Sequence, residues 1–377
     1  MKILQIVTYI SPDGAYGGPV RVALNQAKAL RLLGHQVVVA GAAGGFDGPL
    51  PEEFDSFPVN LFKGRHLLPG TGFAGLASPS MHGWLARAVK GADVVHVHLA
   101  RDFVTLPAAV LGLLAGKPLV VQTHGMIDRT SNPLAMPLDA VLTRRVLRRA
   151  QTVLYLTERE RRDLTDVAGM DLRLVQLANG VPETGTESLE QQHGIQTDPE
   201  VLFLSRLHTR KRPLFMVDAA NSLHKKHPKA RFALVGPDEG EGRAVQLAIE
   251  GSGLDKTIQW FGPMPPEASL ERMRQASVFA LPSTEEPFPM AVLEAMSIGL
   301  PVVITRSCGL ASAIQEADAG MVCDESRNSF VEAIDFLLRE SRERVEKGRR
   351  ARRLASAHYS LTSVADELQR IYMQPVQ

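Results

Sequence analysis

Short apolar runs alternate with stretches of helical spacing along nearly the whole chain, and this alternation restricts the possible folds more than any other feature. In the first half, the runs predict strands at Ile3–Tyr9, Gln36–Ala40, Val94–Leu99, Leu119–Thr123, Thr152–Leu156 and Leu172–Leu177. Helices are predicted between them at Pro19–Leu33, Phe103–Ala115, Leu138–Arg149 and Glu158–Ala168. Because the runs are mostly apolar instead of alternating with polar residues, they indicate parallel strands that helices cover on both faces.

The second half of the chain repeats this plan. Strands are predicted at Val201–Leu204, Arg231–Val235, Thr257–Phe261, Val278–Leu281, Pro301–Ile304 and Gly320–Val322, with helices at Pro213–His227, Gly242–Gly251, Glu267–Gln275, Met290–Ile298, Ser329–Leu338 and Glu343–Ala357. The 377 residues are also too many for one ordinary core. The pattern predicts an α/β protein with two doubly wound parallel sheets.

A segment rich in glycine and proline, Asn179–Pro199, has weak periodicity and is predicted to be the hinge between two domains. The first domain would then span residues 1–180 and the second residues 181–359. Ligands of open parallel sheets bind beyond the carboxyl ends of the strands, so two such domains facing a central cleft would offer a small-molecule site.

Composition excludes several classes of protein. The 42 basic and 41 acidic side chains give a formal net charge of +1, which argues against a dedicated nucleic-acid binder. Cys308 and Cys323, the two cysteines, provide neither a disulfide framework nor a metal cluster. The N-terminal residues lack the pattern of a signal peptide, and no apolar run reaches 18 residues. We therefore expect a cytoplasmic protein.

Two glutamates eight residues apart mark the strongest chemical signal. Glu286 lies in the predicted turn after the strand Val278–Leu281, and Glu294 lies in the helix that follows. Glu286 can meet a sugar ring, Glu294 can accept hydrogen bonds from a ribose diol, and the helix N-terminus between them favours a phosphate. Taken alone, the pair is equally well explained by an acid at a helix N-terminus and a surface glutamate.

A basic loop follows the strand Val201–Leu204. It contains Arg206, His208, Arg210, Lys211 and Arg212 immediately before Pro213, which can start a helix. Arg206 and Lys211 can converge on one diphosphate from such a loop. The alternative is a solvated basic turn, which the position at the predicted ligand edge disfavours.

Glycines and histidines supply further candidates in the first half. Gly17 and Gly18 follow the first strand and allow a ligand close to the backbone, although the loop matches neither a dinucleotide fingerprint nor a P-loop. The strand period places His96 and His98 on one face, and His124 follows its strand at the carboxyl end. A structural and a functional interpretation of these histidines carry about equal weight, and a zinc site is disfavoured.

Together these elements resemble the family-4 glycosyltransferases, which are retaining enzymes of the GT-B type. The resemblance covers nearly the whole chain. It includes the Gly17-Gly18 loop, the His98 strand, Gln122-Thr123-His124-Gly125, Asn179-Gly180-Val181, Ser205-Arg206-Leu207, Lys211, Phe261-Gly262 and the EX7E motif formed by Glu286 and Glu294.

The resemblance implies a role for each matching position. Arg206 and Lys211 would neutralise the leaving diphosphate, Glu286 would hold the donor hexose and Glu294 the ribose. His124 would bind the sugar or help to position the reacting centre. Further donor contacts are expected from Gly17, Gly18, Phe261, Gly262, Met264, Phe288, Met290 and Ala291, and acceptor or sugar contacts from His98, Tyr16 and Arg129. Where many relatives have glycine, Pro289 has no amide hydrogen, so the sugar contacts fall to Met290 and Ala291.

The function implied is the retaining transfer of a hexose-type sugar from a nucleotide-diphosphate sugar, UDP- or GDP-linked, to an acceptor hydroxyl. Neither a metal ion nor a further cofactor is expected, because the cations can stabilise the leaving group. Such a reaction would belong to the synthesis of envelope polysaccharide, glycolipid or secondary-metabolite glycosides. The alternatives are a nucleotide-sugar-binding protein without transfer and a nucleotide-sugar epimerase.

Two expectations concern other surfaces. The resemblance implies that a C-terminal helix, about residues 360–377, packs back on the first domain. Arginines at 144, 145, 148 and 149 follow apolar residues in the segment 141–149, which is consistent either with contact to an anionic membrane surface or with a solvated helix face. The solvated face is the commoner explanation of such a charge run.

Overall fold

The computed structural model describes residues 1–12, 17–67, 75–128, 135–182 and 198–375. Their contacts divide the chain into two compact units. Unit 1 contains Met1–Gly180 together with Leu361–Gln377, and unit 2 contains Val181–Ser360. Of the predicted hinge, residues 183–197 lie outside the described residues.

Unit 1 is built on an eight-stranded sheet. The described strands of the sheet are β1 Lys2–Ile10, β2 Gln36–Ala43, β3 Glu53–Phe54, β4 Phe57–Lys63, β7 Val94–His98, β8 Leu119–Gln122, β9 Thr152–Tyr155 and β10 Leu174–Gln176. Two short strands, β5 Arg65–His66 and β6 Leu76–Ala77, form a separate two-stranded ribbon. The strand order is β10-β9-β8-β7-β1-β2-β4-β3, and within this sheet all described pairs are parallel except β3 with β4.

Helices cover both faces of this sheet. They span Gly17–Leu32, Pro79–Gly91, Thr105–Leu114, Ala135–Leu138, Arg144–Arg149, Glu158–Ala168 and the C-terminal helix Leu361–Met373. The C-terminal helix packs in unit 1 beside the first helix through Val364, Leu368 and Ile371, all buried. Its Tyr372 hydroxyl lies 2.7 Å from His96 Nδ1, and Gln151 Nε2 donates to the Gln374 carbonyl over 2.9 Å.

Unit 2 is built on a six-stranded parallel sheet. Its strands are β11 Glu200–Leu204, β12 Arg231–Val235, β13 Ile258–Trp260, β14 Val278–Leu281, β15 Val302–Thr305 and β16 Gly320–Cys323, in the order β13-β12-β11-β14-β15-β16. The helices span Leu214–Leu223, Gly242–Ser252, Pro266–Arg274, Met290–Ser297, Ala311–Glu316, Arg327–Arg339 and Ser341–His358. These two Rossmann-like units confirm the α/β fold class.

Between Ala40 and Val94 the structure contains a strand and a helix that the sequence pattern did not predict. Strand β4 pairs with β2, and the helix Pro79–Gly91 buries Met81, Leu85 and Val89 at four-residue intervals. The interspersed prolines and glycines of this region interrupt the periodic pattern, which conceals both elements. The short helix Ala311–Glu316 was missed for a related reason, because six residues give too short a window for a helical period.

The predicted helix Leu138–Arg149 is not continuous. It begins already at Ala135, and a π-helical turn at Asp139–Thr143 separates two α-helical parts. The Asp139 carboxylate is buried and binds the Arg101 guanidinium through distances of 2.9 and 3.0 Å. A wider turn at this point places Asp139 against Arg101, and such turns are common at functional positions.

Candidate active site

The strand order of unit 2 reverses direction between β11 and β14. Successive strands are added outward from β11 on one side and from β14 on the other, and β11 and β14 are neighbours in the sheet. This switch point is the usual ligand position in open parallel sheets. The basic loop after β11 and the Glu286 loop after β14 meet there, and the Thr284 amide donates to the Arg210 carbonyl over 2.8 Å.

Lys211 and Glu286 are in direct contact at this switch point. The Lys211 ammonium forms an ion pair with Glu286 Oε2, and both side chains are largely buried, with exposed fractions of 14% and 12%. A turn of 3₁₀ helix at Thr209–Lys211 places the lysine, and His208 caps it by accepting a hydrogen bond from the Arg210 amide. The structure therefore joins one predicted cation to one predicted carboxylate across 75 residues of sequence.

Arg206 projects from the same loop into solvent. Its guanidinium donates to Glu239 Oε1 over 2.7 Å, and 61% of its side chain is exposed. Glu239 lies in the loop after β12, where its amide donates to the Leu207 carbonyl. An exposed pair of this kind contributes about 0.2–1 kcal/mol. A multiply charged ligand can therefore compete with Glu239 for Arg206 at little cost.

The helix Met290–Ser297 begins immediately after the Glu286 loop. Pro289 occupies the N-cap position, and its carbonyl accepts from the Val292 amide over 3.1 Å. The amides of Met290 and Ala291 thus stand at the start of the helix, where backbone N–H groups and the helix dipole favour an anion. Glu294 is half-buried in the second turn of this helix.

An exposed aromatic ring stands at the edge of unit 2. Phe261 follows β13 and is 54% exposed, and the Arg272 guanidinium lies 5.6 Å from its ring centroid. Glu200 holds Arg272 in place through two hydrogen bonds of 2.6 and 2.9 Å. Gly262 has φ +73°, and its carbonyl accepts from Gly236. Phe261 thus offers a flat face for stacking.

Two further predicted donor contacts of unit 2 are half-buried. Phe288 stacks edge-on against Tyr359 with 6.1 Å between ring centroids, and Met264 packs against the apolar core.

In unit 1, the described chain resumes at Gly17. The first helix begins at this residue, so Gly17 and Gly18 lie in its first turn instead of in a loop. A Cβ atom on Gly18 would meet no heavy atom of the described residues within 4 Å, so packing against this part of the chain does not require glycine there. Tyr16 and Arg129, the other two candidates of this region, lie outside the described residues.

A row of histidines runs from the carboxyl edge of unit 1 into its interior. His124 Nε2 lies 2.8 Å from His98 Nδ1, and the rings of His98 and His96 stack with 4.6 Å between centroids. Burial lowers the pKa of His124 to about 3 and that of His96 to about 3, and it lowers the pKa of His98 as well. The three rings are therefore neutral near pH 7.

The positions of these histidines differ from one another. His124 is partly exposed and has φ +52°, which is uncommon for a residue with a side chain and typical of strained functional positions. His98 is fully buried and reaches the edge through His124. The described contact of His98 at this edge is therefore with the His124 ring, and the expected contact of His98 with the acceptor or sugar stays a prediction.

Glu160, which was not among the predicted site residues, holds the turn around His124. The buried carboxylate accepts hydrogen bonds of 2.6 Å from Thr123 Oγ1, the Gly125 amide and the Leu156 amide. The signal was present as Thr157-x-x-Glu160, a capping-box pattern. Thr157 caps the helix as that pattern predicts, while the Glu160 side chain points to the end of β8.

Asp102 plays a similar role beside the end of β1. It is fully buried and accepts from Thr8 Oγ1 and from the amides of Val104 and Thr105. Burial raises the pKa of its carboxyl group to about 6, against the opposing effect of these hydrogen bonds. The two carboxylate oxygens of Asp102 thus hold the first turn of the helix Thr105–Leu114 against β1.

Among the described residues, no group of three or more histidine, cysteine, aspartate or glutamate side chains is placed to hold a metal ion. Within the same described ranges, no helix has both the length and the apolar character needed to cross a membrane.

Two Rossmann-like units with charged groups at the carboxyl edge of a parallel sheet are typical of one class of glycosyltransferases. Comparison with known proteins assigns the chain to that class. A family model described as "Glycosyl transferase 4-like domain" matches residues 17–180, and one described as "Glycosyl transferases group 1" matches residues 185–354. The chain belongs to the GT-B glycosyltransferases of family 4.

Curated relatives and solved structures agree with this assignment. The chain is 30% identical over 198 residues to a D-inositol 3-phosphate glycosyltransferase of Corynebacterium urealyticum, a match covering 50% of this chain and 46% of that protein. It thus spans about half the length of this relative. An alpha-D-kanosaminyltransferase of Streptomyces kanamyceticus is 26% identical over 70% of this chain and 72% of its own length.

Solved structures show the fold. HepE of Anabaena, crystallised with UDP, superposes with a TM-score of 0.74 at 19% identity, covering 98% of this chain and 99% of HepE. WaaG, a glycosyltransferase involved in lipopolysaccharide biosynthesis, gives a TM-score of 0.65 at 19% identity over 100% of both chains.

Proposed function

We propose that this protein transfers a hexose-type sugar from a nucleotide-diphosphate sugar to an acceptor hydroxyl with retention at the anomeric carbon. The observation that carries the proposal is the contact of Lys211 with Glu286 at the switch point of unit 2. Arg206 lies on the same loop as Lys211, and the helix that starts at Met290 follows the Glu286 loop; a cation and a helix N-terminus both suit a diphosphate. Family membership supports the same reaction class.

Charge stabilisation follows from these groups. As the bond between the anomeric carbon and the diphosphate breaks, negative charge grows on the leaving phosphate oxygen. Lys211, Arg206 and the helix start are suited to stabilise that charge. The acceptor oxygen forms the new bond on the same face, and its proton passes to the leaving phosphate. Because protein cations stabilise the leaving group, we propose that the reaction needs neither a metal ion nor another cofactor.

The sugar and the base are assigned to neighbouring groups. Glu286 would hold sugar hydroxyls, Glu294 the ribose diol, and the exposed face of Phe261 with the backbone of Gly262 the base. HepE was crystallised with UDP-glucose and with UDP, which favours a UDP-sugar as the donor here. The curated relatives carry the names of inositol phosphate and kanosamine transferases. We propose a polyhydroxylated acceptor in cytoplasmic synthesis of envelope polysaccharide, glycolipid or secondary-metabolite glycoside.

A donor screen tests the proposal at its first step. Thermal unfolding is measured with UDP-, GDP-, ADP- and dTDP-sugars, and the donor that stabilises the protein most is then used for transfer to candidate acceptors. Binding without transfer to any acceptor would support a nucleotide-sugar-binding protein instead. Conversion of the nucleotide sugar by itself into its epimer would support an epimerase.

Arg206→Ala tests the diphosphate assignment. Turnover should fall by about 10²–10³-fold, the usual effect of removing one donor to a developing oxyanion. Stability should change by less than about 1 kcal/mol, because the pair with Glu239 is exposed. Lys225→Ala is the matched control, since it removes one exposed cation from unit 2 outside the proposed site. Near-native turnover of Arg206→Ala would contradict the assignment.

Chelation tests the metal-independent mechanism. Full activity after exhaustive treatment with a chelator is the expected result, and recovery of a lost activity by added Mg²⁺ or Mn²⁺ would overturn it.

A further inference from the structure

A basic groove lies on unit 1 beside the amino ends of β8 and β9. It encloses about 840 Å³, and the cations that line it are Lys117, Arg145, Arg148, Arg149 and Arg173. Asp171 is the one carboxylate among the described lining residues. The groove is therefore strongly positive, although the whole chain is nearly neutral.

Two arginines of the helix Arg144–Arg149 make hydrogen bonds within the protein. Arg144 Nε donates to the Val167 carbonyl over 2.9 Å, and Arg148 Nε donates to the Ala168 carbonyl over 2.8 Å. Both carbonyls end the helix Glu158–Ala168, where a cation is favourable. Among the described residues, no ion pair joins Arg145 or Arg149 to a carboxylate, and both side chains are exposed.

Exposed aliphatic side chains border the same groove. Leu114 is 73% exposed and Met170 is 50% exposed, and both line it. Val141, 66% exposed, lies four residues before Arg145 in the same helical segment. Large apolar side chains placed among arginines in this way are typical of surfaces that insert into the interface of a membrane.

We propose that this groove and its aliphatic border dock on the surface of a bilayer containing anionic phospholipid. A soluble phosphate needs convergent donors in a small pocket, whereas these cations are spread along an open groove. A lipid surface supplies negative headgroups to the arginines and an acyl boundary to Leu114, Met170 and Val141.

The docking surface is separate from the proposed catalytic residues. It borders the amino ends of β8 and β9, whereas His124 follows the carboxyl end of β8. Membrane binding therefore does not depend on donor binding or on transfer, and the two proposals can fail independently. The surface positions the enzyme at the membrane and takes no part in the reaction.

Vesicle flotation of the full chain tests the proposal. We expect binding to phosphatidylcholine vesicles that contain phosphatidylglycerol and little binding to phosphatidylcholine alone. The double variant Arg145→Glu/Arg149→Glu should lower the partition coefficient at least about 25-fold, because each cation near an anionic surface contributes about fivefold. Lys225→Glu/Lys229→Glu is the control, as it makes the same change of charge on exposed residues of unit 2.

The apolar contribution needs its own variant. Leu114→Ser/Met170→Ser should lower the partition coefficient about tenfold and make the remaining binding more sensitive to salt. Circular dichroism checks that each variant is folded. The proposal would be overturned if the protein did not bind anionic vesicles, or if both charge-reversed variants bound them equally. Binding of RNA in place of vesicles would overturn it as well.

Discussion

Replacing Glu160 by glutamine tests whether this buried carboxylate holds the turn that presents His124. Glutamine has the same shape and keeps one acceptor oxygen. If that oxygen faces Thr123 and Gly125, the new amide group faces the Leu156 N–H, and two donors oppose each other. One hydrogen bond is lost, one buried N–H is left unpaired, and two charge-assisted bonds become neutral.

The expected loss of stability follows from these changes. An unpaired buried N–H costs about 1–3 kcal/mol, and each bond to a charged group loses about 1 kcal/mol when the acceptor becomes neutral. Relief from burying a charge offsets part of this. We therefore expect unit 1 to lose about 2–4 kcal/mol in its free energy of unfolding. Turnover should fall by about tenfold or more, because the strained turn at His124 loses its support.

The two tryptophans make the measurement specific. Trp84 lies in unit 1, with its ring 5.2 Å from that of Phe62, and Trp260 lies in unit 2. In a Trp260→Phe background, urea unfolding followed by fluorescence reports on unit 1. The control is Glu158→Gln in the same helical turn, where an exposed pair with Arg161 contributes about 0.2–0.5 kcal/mol. Equal effects of the two substitutions would refute the assigned function of Glu160.

Three further outcomes are expected. Burial lowers the pKa of His96 and His124 to about 3 and lowers the pKa of His98 as well, so the unfolded chain takes up protons below about pH 6.5 and unit 1 loses stability as the pH falls. Asp102, whose raised pKa of about 6 opposes the change, leaves a net loss of about 3 kcal/mol from pH 7 to 5.5. Urea unfolding at both pH values measures this loss, and a stability that rose over the range would contradict it. Phe261→Ala should raise the KM for the donor about tenfold with little change in kcat, because stacking on the base contributes equally to the ground state and the transition state. Steady-state kinetics measure both constants, and a change in kcat alone would contradict this prediction. Tyr372→Phe should cost about 1–3 kcal/mol in the urea unfolding of unit 1, because His96 Nδ1 loses its partner, and an unchanged midpoint would count against that contact.

Much of the candidate site could be proposed from the sequence because its signals are local. Glu286, Glu294, Arg206 and Lys211 each follow a recognisable strand, and parallel strands bring their carboxyl ends to one edge. Which of these side chains meet was not predictable, because it depends on β11 lying beside β14. The ion pair of Lys211 with Glu286 results from that neighbourhood, whereas the pair of Arg206 with Glu239 results from β11 lying beside β12.

The sequence by itself determined the α/β class and the order of the motifs along the chain, since hydrophobic period and turn residues act within short windows. Tertiary structure decided the use of individual polar groups. Thr157-x-x-Glu160 predicts a local cap, yet the Glu160 carboxylate binds the end of β8; His98 lies at a predicted ligand edge, yet it is buried behind His124. A buried polar group must bond to whatever the packing brings near it, and that neighbour is set by contacts far apart in sequence.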